Sequence, residues 1–328
     1  MTLLAPLPTQ RAERLVYFGT PAMAVPPLEA LVAAGFDIAL VVTRIDKRRG
    51  RGSELLPSPV KTAALRLGLP VAHSVDAALA VGADLGVVVA FGQLIKPNVL
   101  GELAMVNLHF SLLPRWRGAA PVERALLAGD AVTGVCVMQL EEGLDTGPLL
   151  DVVEVPIGPR MSADELRAAL VDVGATRLVE VLSAPLPVPV AQVGEPTYAA
   201  KLTPAEFVID WSKDADEIDR LVRLGLAWST FRGKRLKVLA TEPVVVEVVD
   251  SADTAAFADH AGSAGMFVGA RTVQCGTGQL TLHRVQPEGK PPMDAAAWAN
   301  GAHPAIGESF DAPAPASVVE PSAVSVKP

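Results

Sequence analysis

The start of the chain predicts a strand, a helix and a second strand in direct succession. The apolar runs at residues 15–19 and 38–43 have the length and composition of buried strands. Between them, Pro21 favours the start of a helix that continues to about residue 34 and ends at Gly35. This succession forms a parallel strand pair, because the helix returns the chain to the same end of the sheet. The chain therefore predicts an α/β domain with a mostly parallel sheet.

The turn after the first strand lacks the glycines of a dinucleotide-binding site. Gly19 is followed by Thr20 and Pro21, and the G-x-G-x-x-G pattern does not occur there. Without paired glycines, a pyrophosphate cannot approach the backbone closely. We therefore expect neither a nicotinamide nor a flavin cofactor.

A later strand and loop carry polar side chains suited to chemistry. Residues 105–110 form a short buried strand by their alternation, and Pro114 and Gly118 turn the following chain into a loop. Asn107 and His109 are two residues apart, so their side chains share one face of the strand. Together they can stabilise an oxyanion, or the histidine can act as a general base. A structural role, in which both satisfy backbone groups, is the alternative.

A carboxylate further along the chain is the expected partner of the histidine. Asp145 lies between Gly143 and Gly147, after another apolar run, which predicts a tight, exposed turn between two strands. A carboxylate beside an imidazole can hold its tautomer, support its charge or relay a proton. Asn107, His109 and Asp145 are therefore the candidate catalytic residues.

Composition restricts the class of protein. The chain has 328 residues, of which 50% are apolar and 20% charged, as expected for a globular protein of two domains. No apolar run approaches the ~20 residues of a membrane span, and the N-terminus does not resemble a secretory signal, so we expect a cytoplasmic protein. Cys136 and Cys275 are interpreted as packing residues, and the five histidines lack metal-binding spacing. We therefore expect no metal.

The second half of the chain predicts a smaller domain rich in strands. An amphipathic helix at 215–224 is followed by short strands at 236–240, 244–249, 266–268, 272–275 and 279–285. Five short strands suggest a small barrel of the oligonucleotide-binding (OB) type. The predicted parts are an N-terminal extension (1–13), a catalytic domain (14–184), a stiff proline-rich linker (185–205), an OB-like domain (206–310) and a disordered tail (311–328).

A series of motifs in a fixed order resembles a known family. The chain has Y-F-G-T-P at 17–21, N-L-H-F-S-L-L-P-R-W-R-G at 107–118, G-L-D-T-G at 143–147, T-Y-A-A-K-L at 197–202, I-D-W at 209–211 and Q-P-E-G-K at 286–290. These motifs, which extend over most of the chain, resemble the folate-dependent formyltransferases, in particular those whose acceptor is a charged tRNA. The resemblance implies a Rossmann-like catalytic domain followed by the OB-like domain.

The same resemblance implies a reaction. A formyl group would move from 10-formyltetrahydrofolate, as co-substrate, to the amino group of methionine on initiator tRNA. Asn107 and His109 would donate to the tetrahedral oxyanion, while Asp145 would orient His109 and help to move a proton from the amine to the folate nitrogen. The positions that match the pterin-binding loops of the family are Phe91, Gly92, Leu94, Ser111, Leu112, Leu113 and Pro114.

Two basic segments are candidate tRNA-binding surfaces, although the net charge is −8. Taken alone, each is equally consistent with a solvated surface. Gly50 and Gly52 predict that the first segment is a flexible loop. The candidate tRNA-binding residues are Arg44, Lys47, Arg48, Arg49 and Arg51 in the first segment, and Arg232, Lys234 and Arg235 in the second.

The chain departs from the family pattern at two places. Phe110 stands where the family commonly has glycine, so its ring either narrows the folate pocket or packs into the core. Residues 224–229 replace an Asn-Pro-x-Pro run, so the local geometry of the second domain is expected to differ from that of the family. The expected partners are a charged initiator tRNA and a folate, with no membrane, and the chain is expected to be a monomer.

Two other functions remain open on the sequence alone. The acceptor of the formyl group could be a sugar-nucleotide amine, a ribonucleotide amine or water; the first basic segment, the loop around Trp116 and the second domain favour tRNA instead. A non-catalytic RNA-binding protein could also keep this fold. The presence of Asn107, His109 and Asp145 in the right order argues against that alternative.

Overall fold

The computed structural model of the chain describes residues 4–48, 55–244 and 263–311. The chain divides into two compact units, Met1–Lys201 and Leu202–Pro328. Arg49 and Arg51, most of the strand predicted at 244–249 and nearly all of the predicted tail lie outside the described residues. In the part of the chain that is described, no helix combines the length and apolar character needed to cross a membrane.

A seven-stranded sheet forms the centre of the first unit. The strands of this unit are β1 (Arg14–Gly19), β2 (Asp37–Val42), β3 (Lys47–Arg48), β4 (Leu55–Leu56), β5 (Val71–Ala72), β6 (Leu85–Val89), β7 (Met105–His109), β8 (Arg117–Gly118), β9 (Val132–Gln139), β10 (Leu149–Pro156) and β11 (Tyr198–Ala199). The large sheet has the order β10-β9-β7-β6-β1-β2-β5. Its pairs from β7 to β5 are parallel, whereas β9 and β10 are antiparallel. This confirms the predicted mostly parallel sheet.

Helices cover both faces of this sheet. They are α1 (Val25–Ala33), α2 (Pro59–Arg66), α3 (Pro97–Glu102), α4 (Pro121–Ala128) and α5 (Ala163–Leu182). Leu28 of α1 and Leu166 of α5 pack with Val87 on one face, and Val99 of α3 belongs to the cluster of Val88 on the other. Because both faces are covered, the central strand β6 is buried and apolar along its whole length and lacks the alternation of a half-exposed strand.

Local sequence explains where the main helices begin. Pro21 precedes a 3-10 turn, Ala22–Ala24, which leads into α1, so the α-helix itself begins four residues later than predicted. Helix α5 begins at a capping box, in which the Ser162 hydroxyl accepts from the Glu165 N–H (3.3 Å) and the Glu165 carboxylate accepts from the Ser162 N–H (2.8 Å). The Ser-x-x-Glu spacing of these two residues is the sequence signature of such a cap.

Residues 190–200 lie along the first unit. Val190 and Leu149 exchange two backbone hydrogen bonds, of 2.7 and 2.8 Å. Eight residues later, β11 begins and pairs in parallel with β8, in the loop that follows β7. Thr197 extends this attachment, since its hydroxyl accepts from the Trp116 N–H (2.9 Å). The end of the proline-rich segment is therefore extended and attached to the loop after β7 at several points.

The second unit is built on an antiparallel sheet. Its strands are β12 (Trp228–Phe231), β13 (Lys234–Pro243), β14 (Thr272–Gln274), β15 (Gln279–Pro287) and β16 (Met293–Asp294), and its helices are α6 (Ala215–Val222) and α7 (Ala295–Ala302). The order is β12-β13-β15-β14, and β16 also pairs with β15. Phe231 packs edge-on against Phe267, Trp298 and Phe310 in the core. The second unit confirms the predicted smaller domain rich in strands.

Three details of this unit differ from the sequence prediction. Residues 266–268 are not a strand but make two isolated bridges, from Met266 to Ser309 and from Phe267 to Val273. Strand β12 was not predicted; it forms a hairpin with β13 through a two-residue turn, Arg232-Gly233, in which both φ angles are positive. Arginine is rare at such a position, so the sequence does not signal this turn. Helix α7 was also missed.

Each unit holds one cysteine. Cys136 on β9 and Cys275 after β14 are both buried, which confirms their predicted packing role. Burial raises the pKa of Cys136 to about 11 and that of Cys275 to about 12. Both thiols are therefore protonated at neutral pH.

Candidate active site

A cavity of about 530 Å³ opens at the carboxyl ends of the parallel strands. One wall consists of the chain after β6 and the chain after β9. The turn after β1, the start of α4 and Arg167 of α5 also line the cavity. Asn107, His109 and Phe110 at the end of β7 also line the cavity. Its volume is in the usual range for a small-molecule site.

Strand β7 places Asn107 and His109 side by side. Asn107 pairs with Val88 of β6, and His109 pairs with Cys136 of β9, so both neighbours of the strand hold it in register. The two side chains are only 8% and 6% exposed. The predicted common face is therefore present, and the exposed part of both side chains is turned to the cavity.

Asp145 approaches His109 from the turn after β9. Its Oδ2 lies 3.7 Å from His109 Nδ1 and accepts a hydrogen bond of 2.7 Å from the Gly118 N–H. Asp145 has a φ of +51°, a left-handed conformation that aspartate tolerates better than most residues. The three candidate catalytic residues thus meet at one wall of the cavity.

The other histidine nitrogen determines the tautomer. His109 Nε2 lies 3.0 Å from the carbonyl oxygen of Trp116. A carbonyl can only accept, so Nε2 carries the hydrogen and Nδ1 has the lone pair in the neutral ring. A proton taken up at Nδ1 would face Asp145. The ring can therefore become a cation supported by a carboxylate without turning.

The loop between β7 and β8 is anchored by Asp130. Arg115 donates to both carboxylate oxygens (2.9 and 2.6 Å), and the Trp116 indole donates to Oδ2 (2.8 Å). The Arg115 guanidinium also stacks 4.4 Å from the centre of the Trp116 ring. The hydrogen bond with Asp130 raises the pKa of Arg115. This anchor fixes the Trp116 carbonyl that receives the His109 hydrogen bond.

The structure separates the two groups of predicted folate-binding residues. Phe91, Gly92 and Leu94 line the cavity, and Leu94 is 81% exposed at its mouth. The group Ser111, Leu112, Leu113 and Pro114 does not line it. The reason is geometric: the strand ends at His109, and the chain turns away before returning at Gly118.

The Ser111–Pro114 segment instead supports the loop from behind. The Ser111 hydroxyl donates to the Arg115 carbonyl (2.6 Å), and its own carbonyl accepts from Cys136 Sγ (3.1 Å). Leu113 is buried with Cys136 and Met138. Phe110, at the turning point, belongs to the main core and also forms part of the cavity wall. The Phe110 ring therefore packs into the core, as one expectation had it, and also borders the cavity, as the other had it.

Several cavity residues were not predicted from the sequence. Gln93, Ile95 and residues 140–144 complete the wall around the loop after β6. Glu123 and Arg167 also line the cavity and form an ion pair of 2.7 Å. Their positions in α4 and α5 look like ordinary helix surface in the sequence. In the described ranges, no three His, Cys, Asp or Glu side chains are grouped to hold a metal ion.

The first basic segment has two parts. Arg44 is half-buried and extends to the loop after β6, where a Cβ at Gly92 would lie 4.0 Å from its Nη1. Lys47 and Arg48 are exposed on β3, which pairs with β4 as a short hairpin. Lys47 and Arg48 are therefore the exposed cations of this segment among the described residues. Arg49 and Arg51 lie outside those residues.

In the second basic segment, Arg232 forms an ion pair within its own unit. Arg232 donates to both carboxylate oxygens of Glu308 (2.6 and 2.7 Å) and to the carbonyl of Ala302 at the end of α7 (2.8 Å). These donors are occupied within the unit, so Arg232 has little capacity left for a phosphate. Lys234 and Arg235 are exposed, and the Arg235 guanidinium stacks 4.2 Å from the Trp228 ring centre.

Comparison with known proteins assigns the family. The family model described as Formyl transferase matches residues 13–182, and the model of its C-terminal domain matches residues 201–303. The methionyl-tRNA formyltransferase of Dinoroseobacter shibae is 43% identical over 301 residues, which cover 86% of this chain and 95% of that protein. The one from Symbiobacterium thermophilum is 41% identical over 322 residues, covering 92% and 96%.

A solved structure shows the same fold. The N-formyltransferase from Helicobacter canadensis, in complex with folinic acid and dTDP-3-aminofucose, has a TM-score of 0.62 at 14% identity, covering 84% of this chain and 99% of that one. The parallel sheet, with polar residues gathered at its carboxyl edge, defines an α/β enzyme. This chain belongs to the formyl transferase family. The family resemblance seen in the sequence is thereby confirmed.

The ion pair of Arg232 and Glu308 predicts that the stability of the second unit depends on pH. Hydrogen bonds from Arg232 and from the Ala305 N–H lower the pKa of Glu308 to about 2. The folded pKa is below the unfolded value of about 4.3, so the stabilisation is complete well above pH 4.3 and declines as the pH falls towards 2. We expect Glu308→Gln to lower the urea midpoint of the second unit at pH 7, with a smaller difference from wild type at pH 3.

Glu217→Gln is the control for this experiment. Glu217 forms an exposed pair with Lys213 in the same unit (3.2 Å), and such pairs contribute little to stability. A difference between Glu308→Gln and wild type that is equally large at pH 7 and pH 3 would show that the carboxylate charge is not responsible.

Proposed function

We propose that this chain transfers the formyl group of 10-formyltetrahydrofolate to the α-amino group of methionine on initiator tRNA. The observation that carries this proposal is the meeting of Asn107, His109 and Asp145 at one wall of a ligand-sized cavity. Near full-length relatives of about 40% identity that are named methionyl-tRNA formyltransferase support the choice of acceptor.

The wall made by the loops after β6 and β9 is suited to the folate. Gly92 has a φ of +68° and no side chain, so a flat ring can lie close to its backbone. Phe91 and Ile95 provide buried apolar surface behind the loop. Exposed Leu94 and Leu144 flank the same part of the cavity and would cover the ring at the mouth.

The chemistry follows from the positions of Asn107, His109 and Asp145. The neutral amine attacks the formyl carbon and forms a tetrahedral oxyanion, to which the Asn107 amide donates and whose charge the protonated His109 ring balances. The bond from carbon to the folate nitrogen then breaks, and the proton lost by the amine is delivered to that nitrogen. Asp145 supports the His109 cation and helps this transfer. Holding the two substrates together supplies much of the remaining rate enhancement.

Cations at the surface of both units would bind the tRNA backbone; of these, Lys237 is half-buried and the others are exposed. Lys47 and Arg48 lie on the β3–β4 hairpin. On β13, Arg235 and Lys237 are two residues apart and share the outer face of the sheet, where Lys237 pairs with Trp228 of β12. An arginine stacked on an aromatic ring beside a lysine is a combination that suits RNA. The overall negative charge of the chain would restrict tRNA contact to such patches.

The domain roles follow from the same proposal. Residues 14–184 would form the catalytic domain and residues 206–310 the tRNA-binding domain, joined by residues 185–205. We propose a monomeric enzyme that acts in the cytoplasm, where initiator tRNA is charged and used. The folate is a co-substrate, and the reaction as written uses no metal.

The proposal is tested by comparing acceptors. Purified protein with labelled formyl donor is expected to formylate charged initiator tRNA far faster than elongator methionyl-tRNA. A sugar-nucleotide amine serves as the competing acceptor. Transfer to the sugar amine without transfer to charged tRNA would refute the proposed substrate while leaving the formyl transferase family assignment intact.

The catalytic assignment predicts the effect of single substitutions. His109→Ala and Asp145→Ala are each expected to lower turnover about a hundredfold or more, because loss of a transition-state contact of this kind costs ~3 kcal/mol. Binding of the formyl donor, measured by fluorescence or calorimetry, should persist. Asp172→Asn, a change at an exposed carboxylate of α5, is the control. Near-normal turnover in either alanine variant would remove that residue from the mechanism.

The tRNA surfaces predict a change in salt dependence. Each lost phosphate contact reduces the slope of log affinity against log salt by about 0.7–0.9. We expect the alanine variant of Lys47, Arg48, Arg49 and Arg51, and that of Lys234, Arg235 and Lys237, to raise the KM for charged tRNA and to flatten its slope. The KM for the formyl donor should not change. An unaltered slope in both variants would mean that these cations are only solvated surface.

A further inference from the structure

One side chain from the segment before the second unit reaches the turn that carries Asp145. The Gln192 amide nitrogen donates to the carbonyl oxygens of Asp145 and Gly147, both at 2.8 Å. Its amide oxygen accepts from Nε and Nη2 of Arg117, at 3.1 and 2.6 Å. Gln192 therefore joins two loops that are distant from it in sequence.

The partners of Gln192 allow only one orientation of its amide. The amide has two N–H donors and an oxygen with two lone pairs, and all four are used. Exchanging oxygen and nitrogen would place N–H groups against the Arg117 donors and oxygen against two carbonyls. Both arrangements are repulsive, so Gln192 connects the two loops in one fixed direction.

Both of these loops end at the pair formed by His109 and Asp145. Arg117 lies between Trp116, whose carbonyl accepts from His109, and Gly118, whose N–H holds the Asp145 carboxylate. The Asp145 backbone is itself one of the groups that Gln192 holds. Gln192 thus bridges the two loops at positions next to this pair.

The turn after β9 has little freedom to adjust. A Cβ at Gly147 would lie 1.8 Å from the carbonyl oxygen of Gln139, so the chain passes close to its own strand there. Asp145 has a positive φ, and Leu144 beside it is exposed and offers no packing support. The hydrogen bonds that Gln192 donates to the Asp145 and Gly147 carbonyls therefore restrain this turn.

We propose that Gln192 is a positioning residue that sets the distance between Asp145 and His109. This inference rests on the proposed function, in which that pair carries the proton. Gln192 itself touches no reacting atom. The segment is also held by Val190 and by β11 on either side, so the loss of the Gln192 side chain leaves the fold in place.

Three variants separate the contacts of Gln192. Gln192→Met keeps the length of the side chain and removes every hydrogen bond. Gln192→Glu keeps the acceptor for Arg117 but places a carboxylate against the carbonyls of Asp145 and Gly147. Val193→Ala, at the neighbouring residue that is 85% exposed, is the matched control.

The kinetic test measures kcat, both KM values and the melting temperature. We expect Gln192→Met and Gln192→Glu to lower kcat by about tenfold to a hundredfold, the range for a displacement of about 1 Å at a reacting group. The KM of the formyl donor and the melting temperature should stay near those of wild type. In an Asp145→Asn background, Gln192→Met should have almost no further effect. An unchanged kcat, or an equal loss in that background, would overturn the proposal.

A second readout does not depend on the acceptor. The ¹⁵N signals of the His109 ring, identified with His109→Gln and recorded without substrate, should move in Gln192→Met and remain in place in Val193→Ala. If wild type fails to formylate charged tRNA, the proposed function is wrong, and these signals still test the positioning role. Unmoved signals in Gln192→Met would refute that role.

Discussion

The hydrogen bond from the Gly118 N–H to the Asp145 carboxylate is the contact on which the active site depends. It joins the loop after β7 to the turn after β9, and it directs the carboxylate at His109. Only glycine suits position 118, because its φ is +120° and a Cβ would lie 3.0 Å from the carbonyl oxygen of Ala199. The same closeness lets β11 pair with β8. One small residue therefore permits both the carboxylate contact and the attachment of the segment from residue 190 to residue 200.

His109 and Asp145 each form a short hydrogen bond to the backbone, whereas their contact with each other is longer. The backbone contacts of His109 and Asp145 are complete, since one ring nitrogen meets the Trp116 carbonyl and one carboxylate oxygen meets Gly118. Their approach to each other, at 3.7 Å, is longer than a hydrogen bond. Hydrogen bonds between catalytic groups often shorten when the substrate is bound. The framework is therefore built in advance, while the contact between the pair can tighten when a proton arrives.

The features that depend on residues close together in the sequence could be predicted from local patterns. The β-α-β start, the common face of Asn107 and His109, and the Ser162 cap each follow from spacings of a few residues. The placement of Ser111–Pro114 away from the cavity could not be predicted in this way, because the direction of a loop is decided by what it packs against. Likewise, Arg232 looked like a free cation because its partner, Glu308, is 76 positions away. Gln192 was missed for the same reason.

The two cysteines give the molecule an internal reporter. A thiol reacts as its thiolate, and burial keeps both Cys136 and Cys275 protonated and shielded at neutral pH. Each unit contains one of them, and the chain has no others. The rate at which a thiol reagent labels each cysteine therefore measures the opening of one unit at a time, in the unmodified wild-type protein.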